Sequence, residues 1–183
     1  MAFAQAAAQA CELERVVFLP ELLPRGKQHV TDITHRMALI QQTIADLPRL
    51  DALQLTAAQF TVEATLDELR TRFPDAQLTL LLGSDIVRTL PHRWKNLKIL
   101  LQNAELAIGV RHGDTVEAIE TILSDIEQTC GMPVRYTCVC TAKAELASSL
   151  LRAGTGDPSW LPGPEPLKYI RQHGLYPQLI STE

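Results

Sequence analysis

The chain is 183 residues long, with 46% hydrophobic and 21% charged residues, a composition that excludes wholesale disorder and fibrous repeats and can build a core. Seventeen basic against 21 acidic residues leave a formal net charge of −4, so no global attraction for nucleic acid or an anionic membrane is expected, while a local basic site stays open. No apolar run approaches the roughly 20 residues of a membrane-spanning helix, and the opening Met1 to Ala10 stretch lacks the basic start and continuous apolar centre of a signal peptide. The expectation is a cytoplasmic protein. The cysteines Cys11, Cys130, Cys138 and Cys140 show no zinc-type pair of CxxC spacings and are expected to pack as reduced thiols.

In chain order, Met1 to about Glu14 reads as a helix with Phe3, Ala7, Ala10 and Leu13 on one side, opening without a capping residue. Val16 to Leu19, closed by Pro20, suits a buried strand. After a loop with Pro24 and Gly26, Ile33, Met37, Ile40, Ile44 and Leu47 form a helical stripe. Leu53 to Thr56 is a weaker strand. Val62, Leu66, Leu69 and Phe73 repeat at helical spacing until Pro74. Leu78 to Leu82 is the clearest strand, ending at Gly83. Short helical turns are expected from Ser84 to Asn96, and a helix from Leu97 to Gln102. Leu106 to Val110 predicts another strand, and Val116, Ile119, Leu123 and Ile126 a helix ended by Gly131. Val134 to Cys140 predicts a strand, with Cys138 and Cys140 on one side of it. Leu146 to Ala153 predicts a short helix, Asp157 to Pro166 an extended proline-rich connector, and Leu167 to His173 a last helix.

Compact apolar strands alternating with helices predict an α/β fold, a Rossmann-like parallel sheet with helices on both faces. One domain is expected, with residues 1–156 as the α/β core and 157–183 as its connector and C-terminal helix. In such sheets ligands bind at the carboxyl ends of the strands, so Pro20 to Lys27, Ala57 to Val62, Gly83 to Trp94 and Arg111 to Gly113 are expected to converge.

Four stretches could carry chemistry. Asp85, after Gly83 and Ser84, can serve a ribose or a cation, or Ser84 and Asp85 can simply cap the next helix. Trp94 can stack on a base or pyridine ring, or anchor its loop; on this feature alone the anchor is favoured. Arg25, Lys27, His35 and Arg36 surround a helix start and suit a phosphate, against the plainer alternative of a solvated basic loop. Ser148, Ser149 and Arg152 offer hydroxyls and a guanidinium to phosphate oxygens, or a serine cap beside a surface arginine.

Taken in order, these pieces resemble the bacterial nicotinate-nucleotide adenylyltransferases of the nucleotidyltransferase superfamily. The Pro20 to Lys27 loop with Arg36-Met37 is similar to the family's proline and lysine loop. Phe60-Thr61-Val62-Glu63-Ala64-Thr65-Leu66 is similar to its Ser-Tyr-Thr segment ending in Thr-Leu. Leu82-Gly83-Ser84-Asp85 with Leu90-Pro91 and Trp94 is similar to its Gly-x-Asp and Leu-Pro-x-Trp pair. Ala147-Ser148-Ser149-Leu150-Leu151-Arg152 is similar to its Ile-Ser-Ser-Thr-x-Ile-Arg motif, and Tyr169-Ile170 with His173-Gly174-Leu175-Tyr176 to its ending. The resemblance implies adenylyl transfer from ATP, with Mg²⁺, to nicotinate mononucleotide in NAD biosynthesis. It places Asp85 on the nucleotide ribose, Arg111, Ser148, Ser149 and Arg152 with ATP and its phosphates, Lys27 and Arg36 against phosphate charge, Trp94 on the nicotinate ring, and Thr61 and Thr65 beside it. No nucleic-acid or membrane partner is implied, and a homo-oligomer is compatible with it.

The departures are specific. Phe60 stands at or beside the position of the family tyrosine, and Ala147 and Ser149 replace Ser and Thr. The family's initial strand and His-x-Gly-His motif are absent, and His29, His35, His92, His112 and His173 do not reproduce them. The expectation is therefore a chain whose recorded start falls late, lacking the central first strand and left with two unpaired strand edges. The alternatives are a degenerate, non-catalytic nucleotide-binding relative, or a sister adenylyltransferase with another phosphate acceptor.

Overall fold

A computed structural model of the chain describes residues 1–26, 30–111, 113–140 and 163–176. The chain forms two compact units, Met1–Glu14 with Phe60–Glu145, and Arg15–Gln59 with Leu146–Glu183.

The first unit is built on a parallel sheet of β3 (Leu78–Gly83), β4 (Ala104–Val110) and β5 (Tyr136–Cys140), with β4 in the middle. Leu80 pairs in register with Leu106, and Ile108 with Cys138. Side chains alternate across such a sheet, and both faces are covered. On one face Leu82, Leu106 and Ile108 pack with Ile119, Leu123 and Ile126 of α7 (Val116–Cys130). On the other, Ala107 and Val139 pack with Ala7 of α1 (Ala2–Ala10). Alanines let α1 lie close, and Gly109 carries this further: a Cβ there would sit 3.0 Å from the Phe3 ring. Ile108 is fully buried, so truncating it to Ala would cost about 2–5 kcal/mol. A second cluster joins Val62 and Leu66 of α3 (Val62–Arg72) to Leu100 of α6 (Leu97–Asn103) and Ala104. Between β3 and α6 lie two short helices, α4 (Ser84–Val87) and α5 (Leu90–Arg93).

The second unit pairs β1 (Val16–Phe18) in parallel with β2 (Leu50–Ala52), with α2 (Ile33–Ile44) between them in sequence and α8 (Pro164–Gln172) packed on α2. Asp32 caps α2, its carboxylate accepting from the Thr34 amide at 2.8 Å. Among the described residues β1 and β3 each have one strand partner.

Several expectations shift. The second strand lies at Leu50–Ala52 rather than Leu53 to Thr56, because pairing with β1 decides it: Val17 stands opposite Asp51, and the Leu53 amide closes the ladder on the Phe18 carbonyl. The first helix stops at Ala10, and its buried residues are Ala4, Ala7 and Ala8; Ala10 is exposed. The last helix begins at Pro164, inside the expected connector. Proline is suited to a first helical turn, where its missing N–H has no intrahelical partner to lose. Cys11, Cys130 and Cys138 are partly buried as packing residues, whereas Cys140 is exposed. The expected helix at Leu146 to Ala153 and the connector up to residue 162 lie outside the described residues.

Candidate active site

In the first unit the carboxyl ends of β3 and β4 bring Asp85 and Arg111 together, with Arg111 Nε 2.9 Å from Asp85 Oδ1. Both side chains are about half exposed, 46% for Arg111 and 50% for Asp85, so the pair is open to a ligand. It lies against Gly83. A Cβ there would fall inside contact distance of Asp85 Oδ1 and 3.1 Å from Arg111 Nε, which is the physical reason for glycine at the end of this strand. The capping alternative for Ser84 and Asp85 is not realised, since Gly83 is the N-cap of α4 and no side chain caps it.

Ser84 does something else. It is 1% exposed, its hydroxyl donates to Asp114 Oδ2, and its oxygen accepts from the Arg111 amide at 3.1 Å. Arg88 pairs with the other Asp114 oxygen. The Ser84 hydroxyl first, then the charges of Arg88 and Arg111, hold the Asp114 carboxyl below the usual carboxylate range against a desolvation effect that raises it. Asp114 and Arg88 are the residues sequence reasoning missed. The signal was slight, a lone acid one residue beyond the expected Arg111 to Gly113 crevice segment.

Trp94 anchors its loop. It packs against two of the unit's apolar clusters, the one under α7 and the one joining α3 to α6, its Nε1–H donates to Thr89 Oγ1 at 3.2 Å, and its ring centroid lies 5.4 Å from that of Phe60. Thr61 is exposed at the N-terminus of α3. Thr65, one turn on, is 1% exposed with its hydroxyl unpartnered, an uncommon state for a buried polar group.

In the second unit Arg36 organises the loop after β1. Its guanidinium donates to the carbonyls of Thr31 at 2.8 Å, Glu21 at 2.7 Å and Leu22 at 3.2 Å. The same loop meets the chain before α3: the Leu23 amide bonds the Ala58 carbonyl, and the Gln59 side chain bonds the Leu23 carbonyl and accepts from Arg25. His35 contacts Tyr169 through Nδ1 at 2.9 Å and stacks near His173, joining α2 to α8. Of the expected site residues, the structure thus brings Asp85 and Arg111 together and places Trp94, Thr61 and Thr65 in the same unit, with Arg36 in the other. Lys27, Ser148, Ser149 and Arg152 lie outside the described residues, as does His112. No helix among the described residues is long and apolar enough to cross a membrane.

These features define the class: a Rossmann-like parallel α/β protein with charged groups gathered at the strand carboxyl ends, the crevice position of such folds. No protein-family model matches the chain. The chain is nevertheless similar, over nearly its whole length, to bacterial nicotinate-nucleotide adenylyltransferases. It is 29% identical over 181 residues to a probable nicotinate-nucleotide adenylyltransferase of Neisseria meningitidis serogroup A, covering 94% of this chain and 88% of the relative. It is 28% identical to the protein of that description from Gemmatimonas aurantiaca, covering 94% and 83%. In fold it is similar to the Plasmodium falciparum nicotinic acid mononucleotide adenylyltransferase, with a TM-score of 0.69 at 16% identity over 97% of this chain and 94% of that one in the complex with NaAD. With APC the TM-score is 0.68, over 94% and 89%.

Proposed function

We propose that the chain transfers the adenylyl group of ATP to nicotinate mononucleotide. A phosphate oxygen of the mononucleotide attacks the α-phosphorus in line. A new P–O bond forms as the bond to the β-phosphate oxygen breaks, giving the nicotinate adenine dinucleotide and pyrophosphate. Positioning and charge neutralisation suffice for such a transfer, and no covalent nucleophile on the protein is required. The observation that carries the reading is similarity along 94% of the chain to relatives of that name, and the parallel sheet with charged residues at its carboxyl ends is consistent with it.

In this reading Asp85 accepts hydrogen bonds from the nucleotide ribose, and Arg111 faces the phosphates. Trp94 and the threonines Thr61 and Thr65 serve the pyridine ring. Ser148, Ser149 and Arg152, by their motif, hold ATP phosphates, and Lys27 and Arg36 offset phosphate charge on the mononucleotide side. Among the described residues no group of three or more His, Cys, Asp or Glu is disposed to hold a metal ion, and Asp85 is paired to Arg111. Mg²⁺ favours substrate phosphates and retained waters over all-protein cages, so it fits here as the counter-ion that ATP carries. With soluble nucleotides as substrates, the reaction belongs in the cytoplasm.

The test is incubation with ATP, Mg²⁺ and nicotinate mononucleotide, with pyrophosphate release and the dinucleotide mass as readouts. A panel with nicotinamide mononucleotide and other phosphate acceptors decides the acceptor. The alternative reading is nucleotide binding without turnover. Calorimetric binding of ATP with no pyrophosphate released would select it.

A further inference from the structure

Asp114 sits between β4 and α7 and is not among the residues assigned to substrate above. Both of its carboxylate oxygens are occupied, one by the buried Ser84 hydroxyl and the other by Arg88. The same Ser84 oxygen accepts from the backbone amide of Arg111, and the Asp114 amide bonds back to the Arg111 carbonyl at 3.0 Å. Arg111 and Asp114 are thereby both tied to the start of α4, the helix that carries Asp85. A hydroxyl has one proton to give. With Asp114 taking that proton, the lone pairs of Ser84 are left facing the Arg111 amide, and the orientation of the bridge is fixed.

We propose that Asp114 is a positioning residue: acting through Ser84, it holds Arg111 opposite Asp85 so that the two present one preformed surface to ATP. The proposal rests on the assignment of Asp85 and Arg111 to the nucleotide. Each Asp114 oxygen is already held by a protein donor, and its depressed proton affinity keeps it ionised and accepting across the neutral range. A merely structural role is the competing explanation, because an acid just before α7 also favours the helix dipole. The two differ in what they predict for substrates: stabilising α7 affects the enzyme as a whole, whereas aiming Arg111 affects ATP.

The experiment uses the full chain with Asp114→Asn and Ser84→Ala, and Arg88→Ala as the control that leaves the Ser84 bridge intact. The expected result for Ser84→Ala, which removes the bridge, is a KM for ATP raised about tenfold, the value of a lost charge-assisted hydrogen bond, with kcat and the KM for nicotinate mononucleotide changed less than twofold. Asp114→Asn keeps an acceptor for Ser84 but loses its charge, and should raise the KM for ATP about fivefold. Arg88→Ala should leave the ATP constant within about twofold, because the Arg88 side chain is more than half exposed and the Ser84 bridge does not pass through it. A fall in kcat with an unchanged KM for ATP, equal effects on both substrates, or an Arg88→Ala effect as large as that of Asp114→Asn overturns the proposal. The Arg111 Nε–H resonance reads the geometry without turnover and should shift in Asp114→Asn as the Asp85 pair loosens. If the wild type neither binds nor consumes ATP, the functional reading falls by itself, and an unmoved Arg111 resonance would overturn the positioning role separately.

Discussion

The Arg111 guanidinium donates from Nε to Asp85 Oδ1 at 2.9 Å across the bare α-carbon of Gly83, so that one missing methyl group keeps the pair in place. Gly83 has a φ of −75°, which any residue can adopt. Gly83→Ala should therefore leave the backbone unstrained and push the flexible Asp85 carboxylate away instead. The expected outcome is a thermal midpoint within a few degrees of wild type and an ATP dissociation constant raised about tenfold, the loss of roughly 1.4 kcal/mol. Calorimetry beside a melting curve checks it, and a large fall in midpoint with ATP affinity retained would contradict it.

Thr65 buries a hydroxyl that nothing in the described structure satisfies. Thr65→Val keeps the shape and removes the desolvated group, so stability should rise by up to about 1 kcal/mol. If the hydroxyl serves the pyridine nucleotide as proposed, the same variant binds nicotinate mononucleotide more weakly. Urea unfolding and a binding titration separate the two effects, and a destabilised Thr65→Val would show that the hydroxyl has a partner after all.

Trp94 joins the apolar cluster under α7 to the one between α3 and α6, and ties back to Thr89. Trp94→Ala is expected to cost about 3 kcal/mol and to raise the KM for nicotinate mononucleotide more than that for ATP. Trp94→Phe should recover most of the packing. Equal effects on both substrates would leave Trp94 as an anchor alone.

Arg36 serves three backbone carbonyls with one planar fork. Lysine is a point donor on a flexible stem and cannot span them. Arg36→Lys should therefore open the Leu23 amide, which is bonded to the Ala58 carbonyl, to hydrogen exchange almost as fully as Arg36→Ala. Near-wild-type protection in Arg36→Lys would mean that charge, not geometry, holds the loop.

Asp32, Asp114 and Glu117 all have carboxyl pKa values pulled down: Asp32 chiefly by the Thr34 amide, Asp114 by the Ser84 hydroxyl, and Glu117 by its own backbone amide. A carboxyl depressed in the folded state stabilises the fold above its unfolded pKa of about 4 and loses that contribution as pH falls through the folded value. Melting temperature should thus stay level from pH 7 to 5 and decline from about pH 4 downward. Asp114→Asn should flatten part of the decline. An unchanged slope in that variant would remove Asp114 from the account.

What the sequence made legible was what local pattern decides. Leu78 to Leu82 and the Val116, Ile119, Leu123, Ile126 stripe fall where expected, and Gly131 ends its helix at φ 65°. β2 was misplaced because an acid, Asp51, stands in its middle and only the register with β1 reveals it. Asp85 and Arg111 were legible as residues following strong strands. The Ser84 to Asp114 bond was not, because it spans 30 positions and depends on Leu82 pairing with Ile108 and Gly83 with Gly109.

That long-range character is greatest at Gly109. The Phe3 ring lies on it, and Ala7 packs on Ala107 and Val139, so α1 is synthesised well before the β4 and β5 strands on which it docks. Until β4 and β5 emerge, the alanine face of α1 and the Phe3 ring lack most of their native cover. Closing so long a loop slows folding and exposes apolar surface to association. Yield in a cell should accordingly respond to slowed translation, lower temperature and chaperone supply more strongly than the final stability of the unit would suggest.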